Sequence, residues 1–166
     1  MKKFLPFFLI ALFSAFIISC TSNDDNHQDY DTIAAVYEIP NVNFDYNNGY
    51  QVYRQFQNPL FASDMILVYM QTATANGNPV WELLPKTYYF NNGDELDYTF
   101  DFTRNDVTIY AGGTFDLTGT QYIRNQTFRV VVIPAYFGKG TNTVDFNNYN
   151  EVIKHYKIND QVTKKL

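Results

Sequence analysis

The sequence predicts an all-β fold: a single antiparallel β-sandwich of about eight or nine strands, with a short C-terminal helix. From Ile33 onward, short runs of β-branched and aromatic residues are separated by turn residues roughly every eight to twelve positions. Residues 96–102 alternate strictly, with apolar side chains on one face and polar ones on the other. Before Asn148 no long amphipathic helical pattern occurs in the domain.

The first strands are placed by apolar runs and the turn residues between them. Residues 33–39 are the predicted first strand, which Pro40 interrupts. The segment 42–56 favours a hairpin, because Asn47-Asn48-Gly49 at its centre accepts the positive φ of a tight turn. The run 65–71 is almost entirely apolar, which indicates a central strand covered on both faces.

The middle strands are divided by proline and glycine. Residues 80–84 and 86–90 lie on either side of Pro85, which marks a break or a sheet edge because proline has no N–H to donate. Residues 107–117, with Gly112-Gly113 between two short apolar runs, predict a second hairpin.

The last part of the domain combines a buried strand, a loop and a helix. Residues 128–133 form the predicted strand, and residues 135–148 are the longest irregular loop. Asn150 is the predicted N-cap of a helix that continues through Ile158. Residues 150–158 also alternate well enough to form a strand, and that alternative stays open.

The N-terminal residues have the pattern of an export signal. Lys2 and Lys3 precede an apolar run, 4–18, that is shorter than the roughly twenty residues that span a membrane, so residues 1–19 are predicted to be a removed signal peptide. Ile17-Ile18-Ser19-Cys20 resembles the lipobox of bacterial lipoproteins, in which the cysteine is acylated, for example with palmitate. The resemblance implies that the partner is the lipid bilayer and that the acylated Cys20 holds the protein on it. An ordinary secretory signal is the alternative.

Residues 20–32 are predicted to be a lipidated acidic tether, since they are polar and rich in aspartate. Asp24 and Asp25 resemble the acidic export signal of Bacteroidota surface lipoproteins, which implies an outer-membrane protein that faces the cell exterior. The periplasmic face is the alternative. Thr32, in Asp31-Thr32-Ile33, resembles an O-glycosylation acceptor of the same phylum.

The remaining chain divides into a sandwich domain, residues 33–158, and a C-terminal tail, residues 159–166. Removal of the signal takes away two lysines and lowers the formal net charge from −5 to −7. Such a surface repels nucleic acid, which we exclude as a partner.

Several segments resemble a group of small flavobacterial lipoproteins whose function is not characterised. The segments that carry the resemblance are 42–46, 65–69, 81–85, 105–109 and 128–134. Some members have a collagen-like Gly-Pro segment after the lipid cysteine, which this chain lacks. The resemblance implies fold and location, and it brings no catalytic mechanism.

Catalytic and metal-binding patterns are missing from the sequence. After Cys20, which is predicted to be acylated, only His27 and His155 could serve as a base or a zinc ligand. Asp97 and Asp101 share a strand face but lie about 13 Å apart, farther than paired glycosidase carboxylates. We therefore predict no cofactor, no metal site and no enzymatic activity; a hydrolase ranks third among the functions considered.

Two functions remain: a binding or adhesion module, with glycans as the candidate ligand, and a structural envelope lipoprotein that contacts other proteins. The candidate ligand contacts are Trp81, Tyr136 and Tyr149, because aromatic rings stack on sugars. For Trp81, burial in the core is the preferred prediction, since aromatic residues also favour strands. Exposure of these rings beside Asn and Asp in a groove would favour glycans, and a flat apolar patch would favour a protein.

Overall fold

A computed structural model describes residues 34–135 and 143–166, which form two β-sheets and a short helix. The all-β prediction is confirmed. In the described residues the elements are β1 (Ala35–Val42), β2 (Gln51–Gln55), β3 (Met65–Ala75), β4 (Asn78–Leu83), β5 (Lys86–Tyr89), β6 (Glu95–Phe102), β7 (Asp106–Gly113), β8 (Gln126–Ile133), α1 (Tyr149–His155) and β9 (Lys164–Lys165).

One sheet has five strands in the order β4-β3-β8-β1-β9, and the other has four in the order β2-β7-β6-β5. Neighbouring strands are antiparallel, except that β9 runs parallel to β1. The chain passes from the first sheet to the second at Pro85, between β4 and β5. The predicted break at this proline is therefore confirmed.

The main core lies between the two sheets and follows the period-2 alternation of the strands. In β6, Leu96 and Tyr98 are fully buried, Phe100 is half-buried, and Phe102 at the strand end is exposed. Apolar side chains from the strands of the five-stranded sheet pack against them in the same core. Burial of each such side chain contributes roughly 1.5–3 kcal/mol to stability.

A second apolar layer covers the outer face of the five-stranded sheet. Val152 and Tyr156, from α1 and its C-cap, pack there against Leu67, Tyr69 and Val131. The central strand β3 is consequently buried on both faces from 66 to 70, as its apolar run predicted. No helix in the described parts of the chain has the length and apolar character needed to cross a membrane.

Residues 150–158, for which the sequence allows a helix or a strand, are helical as far as His155, but the N-cap is not Asn150. The helix begins at Tyr149, and the side chain of Asn148 accepts a hydrogen bond from the backbone N–H of Glu151 at 3.2 Å. The helix also ends at His155, three residues before Ile158. Asn150 lies inside the first turn, where its side chain stays exposed.

The predicted hairpin in segment 42–56 is wrong, because β1 and β2 belong to different sheets. Asp45 and Asn48 each accept a hydrogen bond from the other's backbone N–H at 3.0 Å, which closes a short 3₁₀ turn. Gly49 then takes the left-handed conformation (φ 64°) and redirects the chain into β2.

Three boundaries differ from the predictions. Strand β1 continues through Pro40, which is tolerated because the register with β8 shifts there. The second hairpin, predicted over 107–117, is absent: β7 ends at Gly113, and Leu117 turns back into the core. In the predicted tail, residues 164–165 pair with β1 as β9.

Candidate functional site

A row of polar side chains, two of them charged, crosses the outer face of the five-stranded sheet near α1. Tyr69, Arg129 and Glu38 are register partners on β3, β8 and β1. Phe128 and Val130, on either side of Arg129, are fully buried in the main core. Alternation along β8 therefore directs the arginine outward.

Arg129 contacts four different segments of the chain. Its Nε donates to Glu38 Oε2 at 3.1 Å, and its Nη1 donates to the Tyr149 hydroxyl at 2.6 Å and to Asp160 Oδ2 at 3.3 Å. The guanidinium carbon lies 4.5 Å from the centre of the Trp81 ring and 5.5 Å from that of Tyr149. One side chain thus joins β1, β4, α1 and the C-terminal segment, residues 159–166.

The protonation of this cluster follows from its contacts. Burial alone would lower the pKa of Arg129, but the Tyr149 hydroxyl and the Glu38 carboxylate outweigh it, and the pKa is raised. Burial raises the pKa of Tyr149, with Arg129 opposing the shift and Asp160 adding to it. Tyr149 therefore keeps its proton at neutral pH, and its hydroxyl donates a hydrogen bond to Asp160 Oδ2 at 3.2 Å.

The cluster forms one wall of a cleft of about 640 Å³, which we call the Arg129 cleft. Its charged and amide side chains come from β1, β4, β8, α1 and the C-terminal segment: Glu38, Asn78, Arg129, Asn150, Asp160 and Gln161. Pro79, Trp81, Tyr149 and Thr163 complete the lining. A smaller cleft of about 340 Å³ shares Pro79, Trp81, Tyr149 and Asn150 with it.

Two of the three aromatic residues predicted from the sequence lie at this cleft, but neither presents an open ring. Trp81 is 9% exposed and Tyr149 is 5% exposed. The two ring centres are 5.7 Å apart, and Arg129 lies over both rings. Trp81 Nε1 is buried and has no hydrogen-bond partner among the described residues. The rings thus build the wall of the cleft rather than a stacking platform.

The other residues predicted from the sequence lie outside the described residues. These are Tyr136, the lipidation residue Cys20, the tether residues Asp24 and Asp25, and the glycosylation candidate Thr32.

Sequence reasoning missed the polar side chains that form the site. Arg129 had a signal: it is the single charged residue inside the apolar run 128–133. A charge on a strand covered on both faces requires partners. Nothing in the sequence identified Glu38 and Asp160 as those partners, since they lie 91 residues before Arg129 and 31 residues after it.

The carboxylates considered for catalysis lie on the four-stranded sheet, away from this cleft. Asp101 accepts a hydrogen bond from the Tyr110 hydroxyl at 2.8 Å. The Asp97 carboxylate packs closely against Gly112: a Cβ at position 112 would lie 2.8 Å from Asp97 Oδ1. Over residues 34–135 and 143–166, no group of three or more His, Cys, Asp or Glu side chains is placed to hold a metal ion.

No protein-family model, no curated protein sequence and no solved structure matches this chain. The function is therefore inferred from the geometry of the Arg129 cleft and from the N-terminal sequence.

Proposed function

We propose that this protein is a non-enzymatic binding module that takes a glycan in the Arg129 cleft and is held on the outer membrane by an acylated Cys20. The observation that carries the binding proposal is the cleft itself. Its volume of about 640 Å³ lies within the range of about 300–1,000 Å³ found for ligand pockets. Its polar side chains converge from five segments of the chain.

The chemistry of the lining suits hydroxyl groups. Asn78, Asn150 and Gln161 each offer an amide donor and an amide acceptor, and Thr163 adds a hydroxyl. A sugar hydroxyl both donates and accepts, so it can pair with any of them. Because Trp81 and Tyr149 are covered by Arg129, we expect recognition through hydrogen bonds to the cleft wall rather than ring stacking.

The carboxylates of the cleft favour binding over catalysis. Glu38 and Asp160 both accept hydrogen bonds from Arg129. Both carboxyl groups act here as acceptors to the same guanidinium, whereas glycoside hydrolysis needs one carboxyl group that donates a proton to the leaving group.

The binding proposal is tested on the mature chain, residues 20–166, made soluble by Cys20→Ser. We expect saturable binding to at least one oligosaccharide on a glycan array, and loss of at least tenfold in affinity in Asn78→Ala or Asn150→Ala. The control is Asn58→Ala, an exposed asparagine in the loop between β2 and β3. Absence of sugar binding, together with a reproducible partner in crosslinking from intact cells, would instead support the structural envelope protein.

The anchoring proposal has its own test. Cys20 is the only cysteine of the chain, so Cys20→Ser should abolish labelling by an alkyne fatty acid and release the protein from the membrane fraction. Full labelling of this variant would disprove lipidation at Cys20. Replacement of Asp24 and Asp25 by alanine should reduce access of external protease if the acidic tether directs the protein to the cell exterior.

A further inference from the structure

Arginine in a binding site commonly holds an anion through two parallel N–H groups, and Arg129 cannot do so. The Nε hydrogen is taken by Glu38, and the Nη1 group donates to Tyr149 and Asp160. Only Nη2 has no hydrogen-bond partner among the described residues. A two-point contact would combine Nη2 with Nε or with Nη1, so both arrangements are blocked.

The charges around the guanidinium also oppose an anion. Glu38 and Asp160 lie 3.1 and 3.3 Å from its nitrogens, which leaves one net negative charge in the cluster. The adjoining smaller cleft adds Asp145. A carboxylate or sulfate that reached Nη2 would come close to these like charges in a partly desolvated site.

A cationic ligand lacks its usual binding positions in this cleft, because Arg129 already occupies them. The position between the two carboxylates, which an ammonium group would need, is occupied by Arg129 itself. The faces of Trp81 and Tyr149, which would otherwise attract a cation, already hold the guanidinium.

We infer that the Arg129 cleft selects uncharged saccharides and discriminates against acidic and amino sugars; this inference rests on the proposed glycan-binding function. The Nη2 hydrogens and the amides of Asn78 and Asn150 act as donors. The free oxygen of Glu38, Oε1, has no hydrogen-bond partner among residues 34–135 and 143–166 and is an acceptor for a sugar hydroxyl.

The test measures affinity of the Cys20→Ser mature chain for matched oligosaccharides that differ in one charged group. Neutral oligomers are compared with counterparts that carry a uronic carboxylate or a sulfate ester, and N-acetylglucosamine oligomers with their deacetylated ammonium forms. We expect the neutral member of each pair to bind at least tenfold more tightly.

Two variants link the selectivity to the cleft. Glu38→Gln and Asp160→Asn each remove one negative charge with little change in shape, and we expect the preference over acidic counterparts to fall at least threefold. Glu95→Gln, on the four-stranded sheet, makes the same change in net charge and should leave the preference unchanged.

The outcomes separate the two proposals. Equal or tighter binding of the acidic or ammonium member would overturn the charge selectivity while glycan binding stands. An unchanged preference in both cleft variants would also overturn it. If no saccharide of any charge binds, the proposed glycan-binding function fails, and the inference fails with it.

Discussion

Arg129 donates hydrogen bonds to two carboxylates and to the Tyr149 hydroxyl at the half-buried end of the apolar layer that α1 covers. The side chains of Glu38 and Asp160 are only 27% and 23% exposed, so neither is fully hydrated when the guanidinium is absent. Removal of one partner from such a cluster costs more than the pair contributes, because the remaining charges stay desolvated.

We therefore expect Arg129→Ala to lower the free energy of unfolding by about 2–3 kcal/mol. Arg129→Lys should recover part of this loss, since an ammonium keeps the charge but cannot reproduce the planar contacts to Glu38, Tyr149 and Trp81. Urea unfolding monitored by circular dichroism measures both.

The matched control is Arg124→Ala. Arg124 is exposed, and its side chain makes no hydrogen bond to the described residues, so the change should stay within about 0.5 kcal/mol. Equal losses at the two positions would mean that Arg129 does not hold the cluster together.

Among the elements, α1 closes the second apolar layer with only seven residues, so its first turn depends strongly on the cap. Asn148→Ala removes the acceptor for the Glu151 N–H and should lower the free energy of unfolding by about 1 kcal/mol. Asn148→Asp keeps an acceptor at that position and should be nearly neutral.

Asn150→Ala is the control for this prediction, because Asn150 lies within the helix and makes no capping bond. Alanine favours the helix, so we expect a change within about 0.5 kcal/mol. A larger loss of unfolding free energy at Asn150 than at Asn148 would mean that Asn150 is the N-cap, as the sequence alone predicted. Thermal unfolding of the three variants side by side decides the matter.

The sequence predicted the strands better than their pairing. Alternation is local and identified β6, and the apolar run of β3 correctly indicated burial on both faces. Both hairpin predictions failed, because they assumed that consecutive strands pair across a glycine turn. At Asn47-Asn48-Gly49 the turn chemistry was read correctly, but β2 pairs with β7, more than fifty residues away in the chain.

The site was predicted less well than the fold for the same reason. Trp81 and Tyr149 were selected by residue type and do lie together at a cleft. The Arg129 guanidinium lies over both rings, and it reaches them through the register of β8 with β1 and β3. Register between distant strands is fixed by the packed sheet, so the guanidinium cluster could not be predicted from spacing along the chain.

For the domain as a whole, both cores contain buried tyrosines whose hydroxyls donate to fixed acceptors. Tyr69 donates to the carbonyl of Phe146 at 2.7 Å, Tyr98 to that of Tyr122, and Tyr149 to Asp160. Burial is the first cause that raises the pKa of each of these tyrosines. Ionisation of any of them would place a negative charge in an apolar layer.

These tyrosines predict a loss of stability at alkaline pH. The folded pKa of each lies above the unfolded value of about 10, so the stabilisation is complete below about pH 10 and falls as the pH rises toward the folded pKa. In that window the unfolded state binds fewer protons than the folded state. Each tyrosine then adds a slope of about −1.4 kcal/mol per pH unit to the free energy of unfolding.

Urea unfolding at a series of pH values from about 8 to about 11, with tyrosinate absorbance followed in parallel, measures this slope. Tyr69→Phe removes one of the three groups, so its stability curve should be shallower above about pH 10 by about 1.4 kcal/mol per pH unit. Tyr69 is fully buried, and its hydroxyl should not ionise until the protein unfolds. Stability that stays constant through this range, or tyrosinate that forms fully in the folded protein, would contradict the buried positions of these rings.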